Sequence, residues 1–315
     1  MMKYLLVSLM LVLYVPSAFS WGNIGHQTVG EIAERYLTPT AKEAITNILG
    51  PERLAVTAVW ADYIKDDSDF DGFKEYHYVD VPNNISYDKI PVHDRSTKDA
   101  MIVINRYPDM IASHDVERSV KMIALRYIVH VIGDVHQPLH VGNSTDNGGN
   151  VCKVQWEGKQ LLNLHQIWDG KVIDYDISKL KVKRSPLKEY GPSAYADDIF
   201  KNHPLSDADI AKIQADPPAQ WLKESQELRS VVYPDTAPVN DDAKRSYCQR
   251  ANSSYPKITD AYKQKASEVT ELRIQYGGLR LAAMLNKLFE KGNNPGTNTN
   301  LNKNQIIDKL SLTNY

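Results

Sequence analysis

Apolar positions recur at helical spacing over most of the chain. In residues 28–37 (TVGEIAERYL), Val29, Ile32, Ala33 and Tyr36 share one face of a 3.6-residue period. Thr38 followed by Pro39 reads as an N-cap with proline at the first helical position, and the helix that follows, 40–49, stops at Gly50-Pro51. Residues 98–111, 117–132, 219–232 and 258–291 continue the helical pattern, with a break expected at Gly277-Gly278 in the last. Strand signals are few. Residues 153–162 (KVQWEGKQLL) turn at Glu157-Gly158 and predict a short β-hairpin. No repeat or composition shift divides the middle of the chain, so the expected fold class is mainly α, a single helical domain with a small hairpin.

The two ends depart from this pattern. Residues 1–20 carry Lys3, an apolar run from Tyr4 to Val15, and the small-x-small sequence Ala18-Phe19-Ser20, which reads as a cleaved signal peptide. The run falls short of the ~20 apolar residues that span a bilayer and is interrupted by Pro16 and Ser17. The expected product is a secreted or periplasmic monomer, without stable membrane association, that begins at Trp21 and has its body in 21–291. Residues 292–315 are polar and Asn-rich and are expected to form a flexible tail with a short final helix at 306–312. Export permits a disulfide between the only two cysteines, Cys152 and Cys248. The sequons at Asn84, Asn143 and Asn252 matter only in a host that N-glycosylates.

Formal net charge is −2, so the chain has no basic footprint for nucleic acid. A polynucleotide would have to be gripped by metal ions rather than by a lysine surface. The histidines supply a means. Of nine, His130, His136 and His140 fall in HVIGDVHQPLH with Asp134 between them. His130 and Asp134 stand at i and i+4 and share a helix face, as a chelating pair should. Pro138 ends or kinks the helix, which lets His140 turn back toward the same point. His136 faces elsewhere and is read as a supporting or core residue. NLHQIWD repeats the interval with His165 and Asp169. Two such pairs plus His140 suggest imidazole and carboxylate ligands for zinc.

Further candidates lie upstream: Trp21 and His26 in WGNIGH, Asp62 in Trp60-Ala61-Asp62, and His77 and Asp80 in EYHYVD. A free α-amine at Trp21, with pKa ~8, can lose its proton and bind a metal near neutral pH, with its own carbonyl closing a chelate.

Taken together, Trp-Gly…Gly-His, Trp-Ala-Asp, His-Tyr-x-Asp, His-x-x-x-Asp-x-His-Gln-Pro-Leu-His, Gly-Gly-Asn and Asn-Leu-His-x-x-Trp-Asp resemble the S1/P1 nuclease family, in the family order from Trp21 to Asp169. GLRLAAMLN at 278–286 is similar to the family's closing helix. The resemblance implies a mainly helical fold and three zinc ions in a cleft. Asp62, His77, His130 and Asp134 would hold the first ion, and His140, His165 and Asp169 the second. Trp21, His26 and the shared Asp134 would hold the third. It also implies a zinc-dependent hydrolase acting on single-stranded nucleic acid, RNA or DNA, and on nucleotides. Zinc-activated hydroxide attack would give 5′-phosphorylated products, with 3′-nucleotidase activity alongside. Asp62 and Asp134 would be catalytic through the ions. Lys65 stands where the family commonly has arginine, and a lysine offers phosphate a point charge in place of a planar fork. Tyr78 would stack on a base, Asp80 would accept hydrogen bonds from its edge, and Asn150 would line the cleft. The competing expectations are a zinc-dependent phospholipase C, which tends to have glutamate at the Asp169 position, and a non-catalytic zinc-binding protein.

Overall fold

The chain is described by a computed structural model over residues 21–158, 160–180, 191–233, 255–290, 296 and 299–311. The expected signal peptide, Cys248 and Asn252 lie outside the described residues. The fold is mainly α. In its first half, helices α1 (Asn23–Arg35), α2 (Pro39–Leu49), α3 (Leu54–Thr57) and α4 (Trp60–Ile64) lead through a 3₁₀ stretch, Ser68–His77, to α5 (Ala100–Ala112) and α6 (Arg118–Asp134). After the site loops come α7 (Leu164–Gln166), α8 (Val172–Lys179), α9 (Gly191–Asn202), α10 (Asp207–Ala215), α11 (Pro218–Glu227), α12 (Arg229–Val232), α13 (Asp260–Leu288) and α14 (Lys303–Leu310). Among the described residues no helix is long and apolar enough to cross a membrane.

α1 is the hub, packing against α13, α3, α9 and α6. It begins at Asn23, five positions before the apolar period starts, because the residues it buries before Val29 are Gly25, His26 and Thr28, none of them aliphatic. Thr28 Oγ donates back to the Ile24 carbonyl at 2.6 Å. The expected N-cap at Thr38 holds: its hydroxyl accepts from the Ala41 N–H at 3.2 Å, with Pro39 at the first helical position.

The break expected at Gly277-Gly278 is absent, and α13 runs unbroken from Asp260 to Leu288. Both glycines are buried, and a Cβ at Gly278 would lie 2.5 Å from Ile32 Cβ and 3.0 Å from the Val29 carbonyl oxygen. The glycine therefore serves close approach of α13 to α1, and that packing outweighs its poor helix propensity.

Two small sheets flank the helices. The expected hairpin is present as β3 (Lys153–Gln155) and β4 (Leu161–Asn163), antiparallel, with Val154 opposite Leu162 and Gly158 at φ 58° in the turn. A parallel pair that the pattern did not predict joins β1 (Val79–Asp80) to β2 (Val141–Gly142). Two residues per strand are too few to show a period of two.

The C-terminal tail requires a correction. The expected final helix begins three residues early, at Lys303, and is docked rather than loose. Leu310 is buried in the main core, Lys309 pairs with Glu117 at 2.7 Å, and Lys303 reaches Asp67 and Asp69 at 2.6 Å each. Its polar residues find fixed partners in α6 and in the 3₁₀ stretch before His77.

Candidate metal centre

α6 presents His130 and Asp134 one turn apart, both fully buried. His130 Nδ1 lies 2.6 Å from the Ala58 carbonyl oxygen. A carbonyl only accepts, so Nδ1 carries the proton and Nε2 turns a lone pair inward. That Nε2 lies 3.2 Å from Asp134 Oδ2, 3.0 Å from His77 Nδ1 and 3.8 Å from Asp62 Oδ1, and His77 Nδ1 is 3.2 Å from the same Asp134 oxygen. Four donors on a tetrahedral zinc with bonds of ~2.0–2.2 Å are separated by roughly 3.3 Å. The observed spacings scatter about that value.

The second group uses the same device twice. His140 Nδ1 donates to the His77 carbonyl and His165 Nδ1 to the Gly148 carbonyl, each at 2.7 Å. Both Nε2 atoms therefore face Asp169, at 3.9 Å from Oδ1 for His140 and 3.0 Å from Oδ2 for His165. The 165/169 interval keeps the two side chains together, although the backbone is not a regular α-helix there: Ile167–Lys171 is π-helical. A π-turn of this kind re-aims a side chain at a functional site. Gln137 Nε2 donates to Asp169 Oδ1 at 2.7 Å and holds the carboxylate in place.

His26 forms the third group with His130 and Asp134. Its ring stacks on that of His130 with centroids 4.0 Å apart, and its Nε2 lies 3.4 Å from Asp134 Oδ1. Gly133 makes room, since a Cβ there would sit 2.8 Å from His26 Nδ1. Trp21 is buried alongside, its indole N–H donating to the Gly133 carbonyl at 2.8 Å, and the Gly22 N–H donates to the Asp169 carbonyl. The mature start expected from the sequence is thus pinned between Asp134 and Asp169. Every side-chain ligand expected upstream and downstream falls into one of three groups whose donors lie within 4.8 Å of one another: His26–His130–Asp134, Asp62–His77–His130 and His140–His165–Asp169. His130 belongs to two of them.

Metal fits these residues on two further counts. Asp62 Oδ2 and His140 Nε2 are buried and find no hydrogen-bond partner among the described residues, and such atoms call for a ligand. Asp134 and Asp62 are also kept ionised, as ligands must be. Burial opposes the charge of Asp134, yet His130 and His140 hold its pKa well below the usual range. Burial likewise opposes the charge of Asp62, and His130, His26, His77 and Lys65 overcome it. Burial also disfavours protonated His130, but Asp134 and Asp62 lift it to about 9. Burial and the neighbouring His130 push His26 down to about 4.

Two of the groups open, through Asp62 and His77 and through His140 and His165, onto a cleft of about 400 Å³, and the His26–His130–Asp134 group lies buried behind it. Lys65, Tyr78, Asp80 and Asn150 also line it. Lys65 Nζ is 3.3 Å from Asp62 Oδ1, and Tyr78 is 43 % exposed. Asp80 Oδ1 accepts from the Ser144 N–H at 3.1 Å, and Asn150 Nδ2 donates to the Asn147 carbonyl at 2.9 Å. His136 stands apart, buried against Trp221 with Nε2 3.1 Å from Arg280. Sequence reasoning missed Lys74 on the cleft wall and Gln137 behind Asp169. Gln137 sits inside a motif already singled out, and its neighbours were the only signal. Cys152 is fully buried beneath the hairpin, while its expected partner Cys248 lies outside the described residues.

Comparison with known proteins bears on most of the chain. The S1/P1 Nuclease family model matches residues 21–290. This chain belongs to the S1/P1 nuclease family. It is similar to Endonuclease 4 of Arabidopsis thaliana, 31 % identical over 89 % of this chain and 93 % of that protein. Nuclease S1 of Aspergillus oryzae is 33 % identical over 54 % of this chain and 62 % of its own length. Nuclease P1 of Penicillium citrinum is 26 % identical over 85 % of this chain and 97 % of its own length. As an S1/P1 nuclease the protein is a metal-dependent hydrolytic enzyme acting on nucleic acid, and the three donor groups are its candidate metal sites.

Proposed function

We propose that this nuclease is an exported, monomeric, trinuclear-zinc endonuclease that hydrolyses single-stranded RNA and DNA to 5′-phosphorylated products and also acts as a 3′-nucleotidase. The observation that carries the reading is the set of three donor groups, two sharing His130 and two opening onto a cleft that also presents a half-exposed tyrosine. Asp62, His77, His130 and Asp134 would hold one zinc. His140, His165 and Asp169 would hold the second, and His26 and Asp134, with the amine and carbonyl of Trp21, the third. Zinc bound by these residues would supply Lewis acidity, lowering the pKa of water toward neutral pH and screening the charge that keeps nucleophiles from a phosphodiester.

The chain's own residues do the rest. The three Nδ1-to-carbonyl bonds fix His130, His140 and His165 in one tautomer and orientation, so the site is organised before substrate arrives. Lys65 places a positive charge over the cleft for the phosphate. Tyr78 offers a face on which any base can stack, worth ~1–3 kcal/mol. Asp80 accepts hydrogen bonds from a base edge, and Asn150 also lines the cleft. Preference for a single strand follows, because a base must leave its stack to reach Tyr78.

The test is zinc-dependent release of 5′-nucleotides from single-stranded RNA and DNA, with duplex DNA and phosphatidylcholine as controls. Release from single strands, abolished by chelation and restored by zinc, is expected. Cleavage of the lipid without nucleotide release would overturn the assignment.

A further inference from the structure

Arg229 opens α12, is 3 % exposed, and spends its guanidinium on main-chain carbonyls. Nε donates to Val141 O at 2.7 Å, Nη2 to Gly142 O at 2.5 Å, and Nη1 to Val81 O at 2.8 Å and Asn83 Oδ1 at 2.9 Å. Val141 and Gly142 are β2 itself, and Val81 directly follows β1. A parallel pair of two residues per strand has little stability of its own. The guanidinium stitches it together from behind.

What this pair presents to the cleft is the wall that includes Tyr78 and Asp80 on one side and Gly142 and Ser144 on the other. The wall is tight: a Cβ at Gly142 would lie 2.6 Å from Asp80 Oδ1, the atom that accepts from Ser144. Two metal donors lie just upstream of its strands. His77 precedes β1 and His140 precedes β2, and the two are joined by their own bond from His140 Nδ1 to the His77 carbonyl. Arg229 thus acts on the segments that follow the ligands. Residues close to it in sequence reinforce the hold: Gln226 of α11 donates to the Pro82 and Ile85 carbonyls at 2.6 and 2.9 Å, and the hydroxyl of Tyr233, just after α12, bonds Asp146 in the loop that leads to Asn150.

We propose that Arg229 is a positioning residue, touching no substrate, which sets the distance between the base-binding wall of Tyr78 and Asp80 and the metal centre. The inference rests on the reading of Tyr78 and Asp80 as base contacts. A planar fork of five donors can serve all four acceptors at once, and a lysine ammonium, with three donors at one point, cannot.

The experiment uses the mature, zinc-loaded protein and its R229A, R229K and D80A variants. It compares a dinucleotide with its counterpart lacking the base upstream of the scissile bond, and records kcat, KM and zinc content. Loss of one hydrogen bond to the base corresponds to about a tenfold rise in KM. D80A is expected to show that rise on the dinucleotide. R229A is expected to show it too, with zinc content and hydrolysis of the base-free substrate unchanged, and R229K, which keeps the buried charge, falls between. If R229A does not fold, R229K carries the test. Equal losses on both substrates, or loss of zinc, would make Arg229 a general structural residue and overturn the inference. A silent R229A or R229K beside a responsive D80A would do the same. A silent D80A would overturn the base-contact reading itself, and the inference with it.

Discussion

Gln137→Met removes two hydrogen bonds behind the metal centre and leaves the side-chain volume almost intact. Gln137 is fully buried; its Nε2 donates to Asp169 Oδ1 at 2.7 Å, and its Oε1 accepts from the Leu139 N–H at 2.6 Å at the start of the Pro138–His140 turn. A hydrogen bond to a charged acceptor contributes ~1.5–3 kcal/mol, and loss of a helix cap costs about 1 kcal/mol. Support behind a ligand is typically worth 10–100-fold in metal affinity, or ~1.4–2.8 kcal/mol, which agrees with the hydrogen-bond figure. Both routes converge on one group, because the Asp169 carboxylate loses its orientation and the turn that delivers His140 loses its cap. The assay is zinc competition against a chelating dye, with kcat/KM and thermal unfolding measured on the same samples. The expected result is one class of zinc weakened about 10–100-fold, with the remainder unchanged. Gln137→Glu keeps the acceptor for Leu139 but sets a carboxylate against Asp169, so it should weaken the same class. Unaltered zinc affinity in a folded Gln137→Met protein would refute the argument that Asp169 depends on this bond.

Three other outcomes are expected. Gly278→Ala gains about 1 kcal/mol of helix propensity but forces a Cβ to 2.5 Å from Ile32 Cβ, an overpacking that costs ~1–3 kcal/mol; the melting temperature should therefore fall, and a rise would show that α1 and α13 are not closely packed there. Glu224 is held down at about 2: burial opposes its charge, but Arg280, at 2.7 and 2.8 Å, and Arg273 outweigh it. A depressed carboxylate contributes stability above its unfolded pKa near 4.5 and loses it as pH falls toward 2, so wild-type and Glu224→Gln denaturation curves should converge across that window; a constant gap would exclude the ion pair as the source. Mature protein carrying one extra residue before Trp21 should lose one zinc and most activity, and full activity with the extension intact would remove Trp21 from the ligand set.

The site was more legible than the frame around it. His130 and Asp134 could be paired from an interval of four because a regular helix converts that interval into a shared face. His165 and Asp169 could be paired the same way, although a π-helical turn carries Asp169. Asp62, His77 and Trp21 had no such internal signal, and only the ordered set of motifs grouped them. The early start of α1 was hidden because the residues it buries there include His26, which faces the metal centre, and Thr28, whose hydroxyl bonds its own helix, and neither is aliphatic. Gly277-Gly278 read as a break because glycine in a sequence does not say whether it relieves a turn or admits a neighbouring helix. The β1–β2 pair and Arg229 were invisible for a related reason. Their meaning lies in main-chain carbonyls brought together by residues far apart in the chain.

The most direct test of the central claim is a zinc titration of the chelator-stripped mature protein, with single-strand nuclease activity and bound metal read at each step. The three donor groups call for activity that climbs to a plateau at three zinc ions per chain, with 5′-phosphorylated products throughout. Full activity reached at a single ion, with further zinc bound but silent, would contradict the trinuclear account.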